Sequence, residues 1–292
     1  MKNISLSLTA KKIIEAVDKM PSLSPTVSKT IQIVNDITAT PKQLMDVIKL
    51  DPILTGKVLK LINSAFFGLP QKITALDRAI ILVGVNTIKN LALSTAVAGS
   101  FCDNKKVAAR INMEELWLHA LGVAVTSKLI AREIKIPRPL QEEFFIAGLL
   151  HDIGKLLLVQ YFPDEYAEVV DEIKVSGASI IEVEHKRFQA NHEEVGGLLS
   201  EKWRLYDSLI EPIVSHHSPN FDSSSTLTNV VYLSNILCIN NEIGFICGQI
   251  KRDIGESILK KVGITRDQIE SVIKKIPGEL AEAARIIKIG DD

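Results

Sequence analysis

Apolar residues recur along this chain at three- and four-residue spacing, the pattern of helices that bury one face. Start signals punctuate it. Ser24-Pro25 sets a cap before a first-turn proline and predicts a helix over PTVSKTIQIVNDI. Thr40-Pro41 does the same for PKQLMDVIKL, and Asp51-Pro52 for PILTGKVLKLINSAF. Thr74 with Asp77 opens ITALDRAIILVGV, and Asn86 opens NTIKNLALSTAVAGSF. Asn112 caps a long helix, INMEELWLHALGVAVTSKLIAREI. Pro137 and Pro139 lead into LQEEFFIAGLLHDIGKLLLVQYF, which Pro163 stops. Helices follow around 164–175 and 178–188. Asn191 caps NHEEVGGLLSEKWRL, and Asp207 begins DSLIEPIVSHH. Beyond the Ser-rich loop SPNFDSSSTLT comes a helix around 228–240. In the charged tail, Thr265 and Gln268 form a capping box for RDQIESVIKKI. No stretch alternates apolar and polar residues between hairpin turns, and no repeat of solenoid period occurs. The pattern predicts an all-α, multi-helical fold whose neighbouring helices pack locally. The polar stretch CDNKKVAARIN from Cys102 is the best internal boundary.

Composition narrows the class. A chain of 292 residues, 46% hydrophobic, is no disordered segment and has room for one large or two modest domains. The net charge of −1 supplies no global field toward nucleic acid or an anionic membrane, so no nucleic-acid partner is expected. Cys102, Cys238 and Cys247 form neither zinc-type pairs nor a disulfide framework, which points to a reducing, cytoplasmic setting. Lys11, Lys12 and Glu15 come too early for a signal peptide, and no uninterrupted apolar run reaches the ~18 residues of a membrane span.

The candidate chemistry lies in the histidines. His151 and Asp152 are adjacent in GLLHDIGK, with Lys155 within one turn. Behind the core-like FFIAGLL, such a group is costly to desolvate without a metal or anion to balance it. The plain alternative is an internal ion pair of Asp152 with Lys155. His119 sits in LWLHALGVAV, apolar all round, where a satisfied core histidine is the ordinary reading. Glu115, three residues after Asn112, is best placed to close that helix's N-terminus rather than to bind metal. His192 taken alone reads as a surface first-turn residue. His216 and His217 end an apolar helix, where a cationic histidine could answer the dipole. Two metals in one site, or a helix break at Ser218-Pro219, would let both face inward. His185, among the charges of EVEHKRF, reads as solvated. Imidazoles with a carboxylate and no thiolate suit Fe, Mn, Zn or Ni, and a carboxylate shared between two such ions suits attack of water on phosphorus.

The spacing His119, His151-Asp152-x-x-Lys155, His192, His216-His217 resembles the HD superfamily of metal-dependent phosphohydrolases, most of all the dinuclear branch that includes the HD-GYP cyclic-di-GMP phosphodiesterases. MPSLSPTVSKTIQIVND, IKLDPILTGKVLKLINSAFFG and ITALDRAIILVGVNTIKNLALSTA resemble the HDOD family, the HD-related output domain of bacterial signalling proteins, over roughly residues 20–220. The resemblance implies an N-terminal helical lobe (1–105) packed on an HD-like metal-binding lobe (106–245), with a C-terminal helical extension (246–292). It implies one divalent transition metal held by His119, His151, Asp152 and Asn235, and a second held by Asp152, His192, His216 and His217. Lys155 falls where a lysine meets substrate phosphate, so Asp152 and Lys155 are the catalytic candidates. Two departures stand out. The late aspartate position is Asn235, and the Gly-Tyr-Pro loop after the paired histidines is replaced by SPNFDSSS. The function so implied is a signalling module with a retained, dinuclear metal site and weak or no catalysis, acting on an unidentified partner protein. The alternative is an active phosphohydrolase or phosphodiesterase with a phosphate-containing ligand.

Overall fold

Several helices begin where the expected caps lie. A computed structural model describes residues 8–20, 22–23, 25–36, 40–63, 71–98, 111–245 and 251–288. Among them no strand occurs, so the fold is all-α as predicted. The first helices are α1 (Leu8–Lys19), α2 (Pro25–Asn35), α3 (Pro41–Lys49), α4 (Pro52–Ile62), α5 (Leu76–Val83) and α6 (Val85–Ala98). Thr40 closes a capping box with Gln43 at α3, and the Asp51 carboxylate accepts the Leu54 N–H at α4. Ser24 and most of CDNKKVAARIN lie outside the described residues. Thr74 is not a cap. Ala75 takes that position without a side-chain bond, and Gly84, at φ 85°, separates α5 from α6.

The later helices are α7 (Met113–Glu133), α8 (Arg138–Leu150), α9 (Ile153–Tyr161), α10 (Pro163–Ser176), α11 (Ile180–Phe188), α12 (His192–Trp203), α13 (Asp207–Ser215) and α14 (Thr226–Asn240). Last come α15 (Glu256–Val262) and α16 (Arg266–Lys288). Two expectations are corrected here. The single helix expected across GLLHDIGK is broken at His151-Asp152 into α8 and α9. The tail helix does not stop at Pro277 but runs through it to Lys288, because Ile269, Val272, Ile276 and Ala283 bury a continuous face.

Buried on nearly all sides, α7 packs against α8, α14 and α16. α6 gathers α2, α3, α4 and α5 and rests on α8, joining the two groups of helices. α1 makes its main contacts with α9 and α12. The Lys202 ammonium, on α12, donates to the carbonyls of Val17, Asp18 and Met20, each at 2.7 Å, and so fastens the end of α1. By length and composition, one stretch among the described residues (Leu140–Tyr161) could cross a membrane, but its apolar 18-residue window is 89% buried inside the fold.

Candidate metal centre

Two glycines bring the site together. Gly148 on α8 lies so close to α7 that a Cβ there would stand 2.7 Å from the Ala124 Cα. That approach sets the His151 ring 5.5 Å from the His119 ring, centre to centre. Gly154, at the start of α9, faces the first turn of α12. A Cβ there would overlap the His192 carbonyl and come within 2.7 Å of the Gly196 nitrogen. Asp152, two residues earlier, is thereby placed beside His192. The helix α13 ends at Ser215, so His216 and His217 occupy a turn and both face inward. His192 is fully buried rather than surface-exposed, because its turn is covered by α9.

Asp152 sits between two groups of ligand atoms. Its Oδ1 lies 3.4 Å from His192 Nε2 and 3.3 Å from His216 Nε2. Its Oδ2 lies 3.3 Å from His151 Nε2 and 3.9 Å from His119 Nε2. His192 Nε2 is 3.2 Å from His216 Nε2 and 3.1 Å from His217 Nε2. Asn235 Oδ1 stands 3.0 Å from His119 Nε2. Lys155, also buried, donates its ammonium to Asp152 Oδ2 at 2.7 Å.

Ring protons go outward. His119 Nδ1 donates to the Ile243 carbonyl (3.1 Å), His151 Nδ1 to Gly148 (2.7 Å) and His216 Nδ1 to Pro212 (3.0 Å). His192 Nδ1 donates to the Glu184 carboxylate at 2.6 Å. In these four rings, when neutral, the Nε2 lone pairs therefore converge on one another and on Asp152. Such an arrangement is repulsive until a cation sits among them. His151 Nε2 and Asp152 Oδ1 are buried with no hydrogen-bond partner. Burial lowers His119 to about 4, opposed chiefly by Asp152, and lowers His216 to about 3. Burial pushes His217 well below its usual range too. For Asp152, burial alone would raise the carboxyl, but the neighbouring His151 and the Lys155 ammonium outweigh this and hold it well below the usual carboxylate range. Lone pairs and a carboxylate are thus ready at neutral pH.

The spacing suits ions. Ligand atoms each about 2.1 Å from one ion stand about 3.0 Å apart at right angles and about 3.4 Å apart at tetrahedral angles. Two groups could hold a metal: Asp152 with His192, His216 and His217, and Asp152 with His119 and His151. Within each, ligand atoms all lie within 4.8 Å of one another.

The HDOD domain model matches residues 20–219. The chain belongs to the HDOD family. It is also 26% identical over 215 residues to an uncharacterized protein of Treponema pallidum, a match covering 72% of this chain and 40% of that one. A cyclic di-GMP phosphodiesterase of Pseudomonas aeruginosa is 24% identical over 118 residues, covering 40% of this chain and 26% of the other. This chain spans less than half the length of these curated relatives. An HDOD domain protein of Geobacter sulfurreducens has the same fold, with a TM-score of 0.74 and 22% identity, covering 95% of this chain and 97% of that one.

In this HDOD chain the expected site residues His119, His151, Asp152, Lys155, His192, His216, His217 and Asn235 all come together and are all buried. Glu115 stays exposed, with its backbone N–H donated to Asn112, and the His185 side chain is 61% exposed, as its charged surroundings in the sequence indicate. Three participants were not foreseen. Glu184 is fully buried, with Oε2 accepting the His192 backbone N–H (2.8 Å) and ring N–H, and Oε1 accepting the Tyr166 hydroxyl at 2.7 Å. Glu193 Oε1 accepts the His217 N–H at 2.8 Å, and burial raises its carboxyl from the usual range. The Ile243 carbonyl holds His119. Glu184 had a visible signal: it lies on the stripe Ile180, Val183, Glu184, Phe188, whose other members are core. Glu193 and Ile243 had none.

Proposed function

We propose that this chain is a bacterial signalling module with a retained dinuclear metal centre and weak or absent catalysis. One ion is held by His119, His151, Asp152 and Asn235; the other by Asp152, His192, His216 and His217. The observation that carries the reading is the convergence of Nε2 lone pairs on both oxygens of Asp152, with the Nδ1 protons of His119, His151, His192 and His216 anchored outward. The donor set fits Fe, Mn, Zn or Ni. Bound ions would supply charge to polarise a phosphoryl oxygen. Around them, Asp152 positions the two groups of ligands, and Lys155 places a buried ammonium at 2.7 Å from Asp152 Oδ2. Weak catalysis is supported by the neutral Asn235 where the HD pattern carries a carboxylate, and by the missing Gly-Tyr-Pro loop. Three roles belong to the same proposal: lobes at 1–105 and 106–245 with the extension 246–292, contact with a partner protein, and a cytoplasmic setting.

Metal analysis of the purified chain tests the centre. Bound transition metal, lost on His151→Ala, is expected. No metal even after reconstitution would eliminate it. A second reading, an active phosphohydrolase, is favoured by the completeness of the ligand set and by Lys155. Turnover of a nucleotide, cyclic dinucleotide or generic phosphodiester that His151→Ala abolishes would establish it in place of the non-catalytic module.

A further inference from the structure

We infer that the two halves of this centre are unequal, and that Glu184 makes the half built from Asp152 Oδ1, His192, His216 and His217 the tighter one. The inference rests on the metal-centre reading above and adds an order of filling.

The first asymmetry is in Asp152 itself. Its Oδ1, which faces His192 and His216, is buried and has no hydrogen-bond partner. Its Oδ2, which faces His119 and His151, already takes the Lys155 ammonium at 2.7 Å. An ion in the His119 half must share its carboxylate oxygen with a cation, whereas an ion in the His192 half need not. The remaining oxygen ligand of the His119 half is an uncharged amide, Asn235 Oδ1.

The second asymmetry lies behind the imidazoles. His119 and His151 lean on neutral main-chain carbonyls. His192 leans on Glu184, which receives three hydrogen bonds: the ring N–H, the backbone N–H and the Tyr166 hydroxyl. A carboxylate behind a ligating imidazole fixes its orientation and raises its basicity. Glu184 and Tyr166 have no solvent exposure, so this polarisation is little screened. A second carboxyl, Glu193, holds the His217 backbone on the same side. Glu184 is thus a positioning residue that acts on the metal through His192.

The test is a titration of the metal-free full chain with Co(II), followed by calorimetry and by ligand-field absorption. Two binding steps are expected, the first at least about tenfold tighter. Glu184→Gln is expected to weaken the first step by about 10–100-fold and to leave the second alone. Tyr166→Phe, which keeps the Glu184 charge, should shift the same step less. Asn235→Asp should strengthen only the second step. Anomalous diffraction from crystals holding less than one equivalent of Zn(II) should place the ion among His192, His216 and His217.

Equal steps would overturn the inference, as would a first ion seated between His119 and His151. So would a first step that neither Glu184→Gln nor Tyr166→Phe moves. If Glu184→Gln does not fold, Tyr166→Phe and the diffraction experiment decide alone. A wild-type chain that takes up no ion overturns the metal centre itself, a result distinct from these.

Discussion

The helices α2–α6 and the helices that carry the histidines pack by the same rules but bury different things. In α2–α6 the buried polar side chains among the described residues are Thr30, Thr87 and Asn90, all uncharged. Every buried His, Asp, Glu or Lys among the described residues falls between His119 and His217. Burying an ionisable group costs several kcal/mol unless it is paired, bonded or bound to metal. Among the described residues the first region carries no such cost. Its unusual residues are on the outside, where Leu50 is 80% and Ile81 82% exposed. Apart from the Lys128–Glu142 ion pair at 2.7 Å, the second gathers these groups around Asp152, which marks that point as the candidate site.

Asp152→Ala sharpens the contrast most. It removes an oxygen from both groups of candidate ligands and takes the carboxylate from beside the buried Lys155 ammonium. Loss of all bound metal is expected, with about 3–5 kcal/mol of stability lost in the metal-free protein, measured by metal content and denaturant unfolding. Retention of two ions would break the idea that Asp152 is shared. Gly154→Ala comes next. The added methyl would meet the His192 carbonyl, so about 3 kcal/mol is expected to be lost, with metal affinity falling although no ligand has changed.

The pH dependence of the metal-free protein follows from the depressed histidines. Folded values of about 4 for His119 and about 3 for His216 lie below the unfolded value of 6.5. Between these limits the unfolded chain binds more protons, so stability is full above pH 6.5 and falls as pH drops toward 4. The raised Glu193 carboxyl opposes this only near its own titration. Thermal melts in chelator should show the decline, and an unchanged melting temperature from pH 7 to 5 would contradict it.

In the first region the corresponding experiments should touch folding alone. Asn63 donates to the carbonyls of Leu59 and Ile73 and accepts the Ile73 N–H, tying the end of α4 to the approach to α5. Asn63→Ala should cost about 1–3 kcal/mol with metal uptake intact. Ile81→Lys, on an open surface, should stay within about 0.5 kcal/mol. A metal defect in either variant would erase the division between the regions.

The periodicity and caps made most helices legible. Thr40, Asn112, Asn191 and Thr265 all act at helix starts as their sequence positions indicate. The misread boundaries have physical causes. Thr74 lost to an extended Ala75, and Pro277 was overridden by packing of α16 on α7. The candidate ligands were legible because histidines are few and the resemblance orders them. Their supports were harder to read. Glu184 was hidden in a charged run beside the exposed His185, although its place on the apolar stripe distinguishes it. The Ile243 carbonyl lies 124 residues from His119 in the chain, and no local pattern announces such a pairing.

The three carbonyls that orient His119, His151 and His216 have one more consequence, for inheritance. A point mutation replaces a side chain but leaves the peptide group in place. The orientation of those rings is therefore insulated from single substitutions at Ile243, Gly148 and Pro212, so long as the backbone keeps its path. His192 has no such insurance: one codon change at Glu184 removes its anchor. In a lineage drifting away from metal binding, Glu184 is where decay could begin while all six candidate ligand side chains on histidine and aspartate still look intact.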